Sequence, residues 1–418
     1  MFLKRITIQN FRGIQEMELN LAQPSGNRKQ TLIIGENGTG KTNLLRAVAL
    51  VMGGSDALAE LLNTPDDWIS FGAPFCQLSA TLLTQAGEER SIQLTINRGD
   101  TLKGIVLANQ DQLAEIDAAL AHATQNYFVV GYGSLRRLNR STGFSRGGET
   151  IFRQARATNV ATLFNQEALL NPLNTWAMEV DYRTNGKGLD IIRQSLNDFL
   201  PAVKFHSIDK EKGHLIFLYG STQVPLHLLS DGYQNMIGWL GDLLYRISSA
   251  FNDYQSPLKA HGLLLIDEID LHLHPKWQRK VLDYIRHKLP NLQLIATTHS
   301  PLLAQQAQEH ELYALKRTSR GKIALEAFRG TPDRLLLHQL LLSPIFDLET
   351  DESLAVEELK KQYESLKRRK DPPQGKLHYL ATQIEQLPQN QRSNMNYGND
   401  QLDLLREIKS ELKARRDS

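Results

Sequence analysis

GENGTGKT, at residues 35–42, is the stretch that decides the fold of this chain. Gly35, Gly40, Lys41 and Thr42 complete the spacing G-x-x-x-x-G-K-[ST], which cradles nucleotide phosphates. The preceding TLIIG predicts a strand, and the residues that follow have helical apolar spacing. A chance glycine-rich turn is the alternative, but the complete motif between a strand and a helix favours a nucleoside triphosphate site.

Each residue type in this phosphate loop has a predicted task. Gly38 and Gly40 permit backbone angles that turn several N–H groups towards an anion. The partial positive charge of the helix N-terminus adds to this attraction. We expect Lys41 to reach the β- and γ-phosphates and the Thr42 hydroxyl to ligate Mg²⁺.

Composition indicates a globular protein of the cytoplasm. The 418 residues include 41% apolar and 22% charged residues, and the formal net charge is only +2, so any basic surface must be local. Cys76 is the single cysteine, which fits a reducing compartment. Neither a signal-peptide core nor an apolar run long enough to span a bilayer is evident, so we expect no membrane partner.

The hydrophobic pattern predicts an α/β fold with a largely parallel sheet, because buried strands alternate with helices. Predicted strands lie at 2–9, 15–21, 31–35, 75–83, 91–97, 203–208, 214–219, 262–266 and 292–297. Predicted helical segments lie at 111–123, 158–199, 231–251 and 275–289.

Beyond about residue 332 the pattern predicts helices alone, at 335–342, 356–369, 376–387 and 401–416. They either pack on the body or form a docking or dimerisation arm. We therefore predict four parts. Residues 1–110 and 201–331 form the two parts of an ATPase domain, 111–200 an inserted helical and basic lobe, and 332–418 a helical C-terminal region.

An arginine-rich segment at 135–156 interrupts this pattern. Six arginines stand among Gly, Ser, Thr and Asn, with Phe144 and Phe152 interleaved. Such a segment can contact nucleic-acid phosphates, in which case Arg136, Arg137 and Arg140 would bind DNA. A solvated surface loop is the equally weighted alternative.

Polar residues that follow two apolar strands are candidates for the chemistry. GLLLI at 262–266 is followed by Asp267 and Glu268, and a strand-end acidic residue is suited to Mg²⁺ while a second carboxylate can orient water. His299 follows the strand at 292–297 and is predicted to contact the γ-phosphate. Ser230 and Gly232, at a predicted helix start, either present anion-binding groups or merely cap the helix.

The order of phosphate loop, S-D-G-Y-Q, hydrophobic D-E and terminal His resembles that of the ABC-type ATPases. ITIQNFRGI and DEIDLHLHPKWQ are similar to sequences of the RecF, SMC and OLD branch, whereas transporter ATPases usually carry L-S-G-G-Q and D-E-P-T. This resemblance covers roughly residues 1–55 and 200–330. It implies an ABC-type P-loop fold, ATP and Mg²⁺ as ligands, and ATP hydrolysis as the activity.

The resemblance also implies roles for individual residues. The implied nucleotide contacts are Asn37, Gly38, Thr39, Gly40, Lys41, Thr42 and Arg12, with Asn10 and Phe11 nearby. The implied Mg²⁺ ligands are Thr42 and Asp267, the implied catalytic residues are Glu268, His299 and Lys41, and the loop between sites is Asp270, Leu271 and His272. Ser230 and Gly232 would contact the γ-phosphate held by the other chain of a head-to-tail homodimer. The family's Q-loop glutamine has no counterpart, since residues 129–137 offer Ser134 and Arg136 instead.

The helical tail that begins at TPDRLLLHQLLL is similar to that of the PtuA-type ATPases of bacterial anti-phage systems such as Septu and retrons. These work with a separate HNH nuclease. Beyond residue 330 only 347–353 is rich in carboxylates, and its helical flanks favour a solvated segment over the metal site of an OLD nuclease, so we predict no nuclease within the chain. The alternatives are a RecF-like DNA-repair clamp and an ATP-bound scaffold with little turnover.

Overall fold

The structure is a computed structural model that describes residues 2–23, 26–84, 87–121, 127–138, 152–200, 202–250, 257–318, 321–346, 348, 350–369 and 372–387. The chain divides into two compact units, Met1–Leu348 and Glu349–Ser418. The four-part division made from the sequence stays a prediction. The predicted helix at 401–416 and most of the arginine-rich segment lie outside the described residues.

The strands of the described residues are numbered here in chain order. They are β1 (Phe2–Phe11), β2 (Ile14–Asn20), β3 (Ala22–Gln23), β4 (Gly26–Asn27), β5 (Gln30–Gly35), β6 (Phe75–Leu83), β7 (Glu89–Asn97), β8 (Tyr127–Tyr132), β9 (Arg137–Leu138), β10 (Leu169–Leu170), β11 (Val203–Asp209), β12 (His214–Tyr219), β13 (Thr222–Pro225), β14 (His261–Ile266), β15 (Leu292–Thr297), β16 (Leu312–Arg317) and β17 (Ile323–Ala327).

The α-helices of the same residues are numbered likewise. They are α1 (Lys41–Met52), α2 (Gly54–Leu62), α3 (Leu102–Ala108), α4 (Gln110–Ala121), α5 (Ala155–Phe164), α6 (Leu173–Thr184), α7 (Lys187–Phe199), α8 (Asp231–Ala250), α9 (Pro275–Gln278), α10 (Val281–Lys288), α11 (Pro301–Ala304), α12 (Leu337–Leu341), α13 (Leu354–Lys367) and α14 (Gln374–Glu385).

A six-stranded sheet forms the centre of the first unit, in the order β17-β16-β5-β15-β14-β8. Its neighbouring strands are parallel except for β16 and β17. The predicted α/β class with a mostly parallel sheet is therefore confirmed. Because parallel strands end at one edge, the residues that follow β5, β8, β14 and β15 meet there.

Alternation along the buried strands separates two hydrophobic layers. On β14, Leu264 and Ile266 join the layer that contains α8 and α10, whereas Leu263 and Leu265 face the layer that contains α1. The second layer also contains the four-stranded antiparallel sheet β2-β1-β6-β7. Burial on both faces explains why these central strands read as continuous apolar runs.

The structure corrects several predicted boundaries. The helical pattern over 158–199 is three helices, α5, α6 and α7, because the chain turns between Asn165 and Pro172. The helix predicted at 275–289 is two helices, α9 and α10. Strands β16 and β17, absent from the prediction, complete one side of the central sheet.

The second unit is helical where it is described. Helices α13 and α14 pack on each other, and Leu366 on α13 and Leu380 on α14 are buried. Ser353 caps α13, since its hydroxyl accepts a hydrogen bond from the N–H of Val356. Within the described part of the chain, no helix is both long and apolar enough to span a membrane.

Candidate nucleotide-binding site

The phosphate loop joins β5 to α1 with the backbone geometry that its glycines allow. Gly38 and Gly40 have φ of 76° and 95°, a left-handed region that disfavours other residues. Gly35 is needed for space, since a Cβ atom there would lie 2.5 Å from the carbonyl oxygen of Leu315. The exposed Asn37 and the buried Thr39 complete the turn, in which the Thr39 hydroxyl donates to the Glu36 carbonyl at 2.8 Å.

Lys41 folds back over this loop. Its Nζ donates to the carbonyl oxygens of Gly35 and Glu36 at 2.7 and 2.9 Å. Burial lowers the pKa of Lys41, and the carboxylates of Asp267, Glu268 and Asp270 oppose that shift. The ammonium group therefore lies in the field of the acidic strand end.

A short hydrogen-bonded chain links α1, β14 and β15. The Thr42 hydroxyl donates to one oxygen of Asp267 at 2.7 Å, and the Thr297 hydroxyl donates to the other at 2.6 Å. Asp267 is buried. A hydroxyl and a carboxylate brought together in this way are hard oxygen donors of the kind that Mg²⁺ prefers, so the residues present fit the implied ion.

Glu268 follows Asp267 in an unusual backbone conformation. Its φ is +47°, which a side chain with a Cβ atom adopts rarely. Its N–H donates to Thr297 Oγ1 at 2.8 Å. Thr297 thus contacts the carboxylate of Asp267 and the main chain of Glu268, a role that the sequence did not single out although the residue ends the strand predicted at 292–297.

Arg136 was placed in the arginine-rich segment, and the structure contradicts its assignment as a surface DNA contact. It is 7% exposed, and its Nη2 donates to the main-chain oxygen of Glu268 at 2.6 Å. Burial lowers its pKa to about 10 against the opposing effect of Asp267. Its neighbour Arg137 is exposed and pairs with Glu167 at 3.5 Å. Arg140 lies outside the described residues.

His299 lies at the same sheet edge, just past β15, and is exposed. The main-chain N–H of His299 donates to the Asp270 carboxylate at 3.4 Å, and the hydroxyl of Thr298 donates to the same oxygen. Asp270 and His272 belong to the turn after Glu268, where His272 has a φ of +64°. The structure therefore brings the predicted histidine beside the predicted inter-site loop.

Ser230 and Gly232 lie elsewhere, at the start of α8. They line an open cleft of about 790 Å³ with the basic side chains of Lys276, Arg279 and Lys280. The described residues that line it include His272 but none from the phosphate loop. S-D-G-Y-Q at residues 230–234 is called the signature segment below. A Cβ atom on Gly232 would lie 3.1 Å from the carbonyl oxygen of His272, so the signature segment and the loop of Asp270, Leu271 and His272 are neighbours.

Arg12 reaches the other side of α1. Its guanidinium stacks on Trp68 at 3.9 Å from the ring centroid, and its Nη1 donates to Asn43 at 3.5 Å. Its buried Nε is without a partner among the described residues. Burial lowers the pKa of Arg12, opposed by Asp67. Asn10 and Arg12 both have positive φ, and Phe11 between them is buried against Trp68.

Tyr132 connects this edge to α8. Its main-chain oxygen accepts the N–H of Asp267 at 2.8 Å, and its hydroxyl donates to Asp242 at 2.8 Å. Asp242 also accepts from Arg246 and from Asn171. This buried network was not predicted, because Tyr132 lies 110 residues from Asp242 in sequence and the pair carries no local pattern.

Comparison with known proteins gives two family models. Residues 177–304 match the AAA domain described as putative AbiEii toxin, Type IV TA system, and residues 1–123 match the AAA ATPase domain. Together they cover the two regions that hold the phosphate loop and the acidic strand end.

Several relatives also match. The Septu protein PtuA of Bacillus mycoides is 25% identical over 303 residues, or 72% of this chain and 38% of that protein. The Septu protein PtuA of Bacillus thuringiensis is 26% identical over 321 residues, 75% of each. The Retron Ec83 probable ATPase of Escherichia coli is 28% identical over 220 residues, 49% of this chain and 40% of that protein. The chain thus spans well under half the length of the first and third relatives.

A solved SMC head bound to a domain of ScpA is 15% identical, with a TM-score of 0.49 over 79% of this chain and 98% of that one. An OLD nuclease and RecF proteins also match the sequence. The predicted resemblance is confirmed. The chain resembles ABC-type ATPases, the PtuA proteins among them.

Proposed function

We propose that this chain is the ATPase of a bacterial anti-phage defence system and acts as an ATP-controlled switch on a separate HNH nuclease. The observation that carries the ATPase part is the hydrogen-bonded chain from Thr42 through Asp267 to Thr297, beside Glu268. The matches to PtuA and retron ATPases support the defence role. The single buried cysteine fits a cytoplasmic location.

In the proposed reaction the residues of the phosphate loop bind ATP. Asn37, Gly38, Thr39 and Gly40 wrap the phosphates, Lys41 leaves its carbonyl partners for the β- and γ-phosphates, and Arg12 lies near the base or phosphates. Thr42 and Asp267 hold Mg²⁺, which supplies charge stabilisation when bound.

The Glu268 carboxylate then orients the attacking water and accepts its proton. His299 contacts the γ-phosphate and senses its loss. Because Ser230 and Gly232 line a separate cleft, we propose that they complete the site of a second copy. ATP would hold two chains head to tail, and hydrolysis would release them.

The nuclease proposal predicts that an HNH protein is encoded next to this chain in its own genome, and that protein is used for the test. We expect the two proteins to co-elute. We also expect a Glu268→Gln variant to hydrolyse ATP about a hundredfold more slowly, or worse, because a general base typically contributes that much. With ATP, this slow variant should keep the complex in its ATP-bound state. Nuclease activity and co-elution should therefore no longer change with time after ATP is added.

The control is Lys41→Ala, which removes the phosphate-binding ammonium and should behave as the nucleotide-free complex. Absence of an HNH neighbour, or failure to co-elute in every nucleotide state, contradicts the defence switch. A Glu268→Gln variant as fast as the parent contradicts the catalytic assignment. A parent without turnover favours the scaffold, and salt-sensitive DNA binding by the chain alone favours a RecF-like clamp.

A further inference from the structure

Arg136 lies next to the reacting groups because of the sheet topology. Strand β8, which precedes it, pairs in parallel with β14, and Tyr132 lies opposite Ile266. The chain that leaves β8 therefore emerges beside Asp267 and Glu268. This is the place in which the sequence offered Arg136 instead of the glutamine common to ABC-type ATPases.

The backbone of Glu268 is held from both sides. Its φ of +47° lies in a region that residues with a Cβ atom seldom populate, and it persists only where neighbours enforce it. Thr297 Oγ1 accepts the N–H at 2.8 Å, and Arg136 Nη2 donates to the C=O at 2.6 Å. With both polar groups of its main chain held, the direction in which the Glu268 side chain leaves the backbone is held as well.

Burying a guanidinium in this position costs free energy of desolvation unless charged or hydrogen-bonding partners compensate for it. Arg136 is 7% exposed, and burial disfavours its charged form. The nearby carboxylates of Asp267, Asp270 and Glu268 oppose that penalty. Arg137, one residue later, is exposed and pairs with a surface glutamate, so the chain does not bury arginine here by default.

We infer that Arg136 is the positioning residue of the ATPase reaction, which orients Glu268 by holding its main-chain carbonyl. This rests on the proposed role of Glu268 as the catalytic carboxylate. Arg136 also lines a cleft of about 430 Å³ with Asp231, Gln234 and His272. The residue that holds the main chain of Glu268 therefore borders the start of α8, and a change at that helix can reach the backbone of Glu268 through one side chain.

The test compares Arg136→Ala, Arg136→Lys and Arg137→Ala in the full chain. Misplacing a catalytic group by about 1 Å can cost a hundredfold, so we expect Arg136→Ala to lower kcat by about that factor with the KM for ATP little changed. Arg136→Lys keeps a charged donor and should retain more of kcat. Arg137→Ala should match the parent in both constants.

Chemical rescue separates positioning from general damage. Guanidinium at concentrations that do not unfold the parent can enter the space left in Arg136→Ala, so it should raise the rate of that variant and not that of Arg137→Ala. If Arg136→Ala does not fold, the kcat and KM of Arg136→Lys decide, and a loss confined to kcat supports the inference.

Other outcomes would overturn it. An Arg136→Ala variant with the parent's kcat, or one whose loss lies in KM alone, shows that Arg136 does not orient Glu268. Failure of rescue in a folded variant of low kcat also speaks against the assignment. A parent that does not hydrolyse ATP contradicts the proposed function itself, whereas a parent and an Arg136→Ala variant that hydrolyse equally contradict only this inference.

Discussion

A single hydroxyl group, that of Thr297, contacts both acidic residues that follow β14. Thr297 donates to Asp267 and accepts from the N–H of Glu268, so one side chain orders two consecutive acidic residues. Replacing Thr297 by a residue of similar shape without the hydroxyl would leave a buried carboxylate oxygen without this partner. The geometry of the acidic pair is therefore a property of its neighbours as much as of the pair.

The chain's single cysteine gives a prediction at the same scale. Cys76, on β6, is fully buried, and burial raises its pKa from 9.0 to about 12. A rise of three units leaves roughly a thousandfold less thiolate below pH 9. We expect the folded chain to react with a thiol reagent at pH 8.5 at least about a thousandfold more slowly than the chain in denaturant.

The raised pKa of Cys76 also predicts how the stability of the fold changes with pH. Because the folded pKa lies above the unfolded one, the stabilisation is complete below pH 9 and is lost as pH rises towards 12. Cys76→Ala provides the control, since its stability should lack this alkaline decline. Rapid, stoichiometric labelling of the folded parent at pH 8.5 would contradict the buried thiol.

Residue identity allowed part of the site to be predicted. Lys41, Thr42, Asp267 and Glu268 stand in patterns whose spacing and flanks indicate phosphate and metal chemistry, and their roles stay proposals. Arg136 was noted only as standing where the family has its Q-loop glutamine, and its burial against Glu268 could not be recognised, because that environment comes from β8 and β14, which are far apart in sequence. The arginine-rich composition suggested an exposed basic loop, yet one of its arginines, Arg136, is buried.

At the scale of elements, α8 and β8 are joined by a buried polar network. Tyr132 ends β8, and Asp242 and Arg246 lie one turn apart on α8. Asp242 is fully buried, and its second oxygen accepts from Asn171. The helix that begins with the signature segment is thus tied directly to the strand end that precedes Arg136.

Breaking this network should destabilise the first unit. Asp242→Asn removes the charge that compensates a buried Arg246, and leaving a buried charge unpaired typically costs about 3–5 kcal/mol. We expect a lowered midpoint of thermal unfolding. Asp190→Asn breaks the exposed pair with Arg193 on α7 and should change stability by no more than about 0.5 kcal/mol.

Equal midpoints for these two variants would contradict the network's role. Thermal unfolding followed by circular dichroism suffices for the comparison. If Asp242→Asn also lowers ATP turnover while the fold is retained, α8 and the β8 edge act together in the reaction.

Elements differ in how well the sequence predicts them. Strands β14 and β15 were predicted almost to the residue, because burial on both faces makes them continuous apolar runs. The pattern over 158–199 predicted helix correctly but not its breaks, since amphipathic periodicity carries across the turns that separate α5, α6 and α7. Strands β16 and β17 were missed, as their ends are partly exposed and interrupt the apolar pattern.

At the scale of the whole molecule, the two halves of the proposed ATP site lie in one chain but line different surfaces. The phosphate loop and acidic pair meet at the sheet edge, while Ser230 lines the cleft with His272 and Lys276. Sequence order could indicate both halves, because each is a local motif. It could not indicate their separation, which depends on how α8 packs.

A composite dimer can be tested by mixing two inactive chains. Lys41→Ala disables the phosphate loop, and Ser230→Arg obstructs the signature segment. We expect each to be inactive alone and an equimolar, exchanging mixture to regain roughly a quarter of the parent ATPase rate, because half of the dimers are mixed and each has one intact site.

The matched control mixes Lys41→Ala with Glu268→Gln. Both changes lie in the same half of the site, so no dimer of these chains has an intact site and activity should stay absent. Full activity of Ser230→Arg alone, or equal recovery in both mixtures, would show that sites do not form across a head-to-tail dimer.

The separation of the signature cleft from the phosphate loop has a consequence for the cell. On the proposed arrangement a lone chain has no complete site, so at low abundance the total ATP turnover rises with the square of the free chain concentration and the turnover per chain rises in proportion to that concentration. The expression level of the protein then controls its ATP turnover independently of the ATP concentration. In a cell that makes little of the protein, its ATPase activity would stay low whatever the ATP concentration. A modest rise in synthesis would then raise that activity more than proportionally.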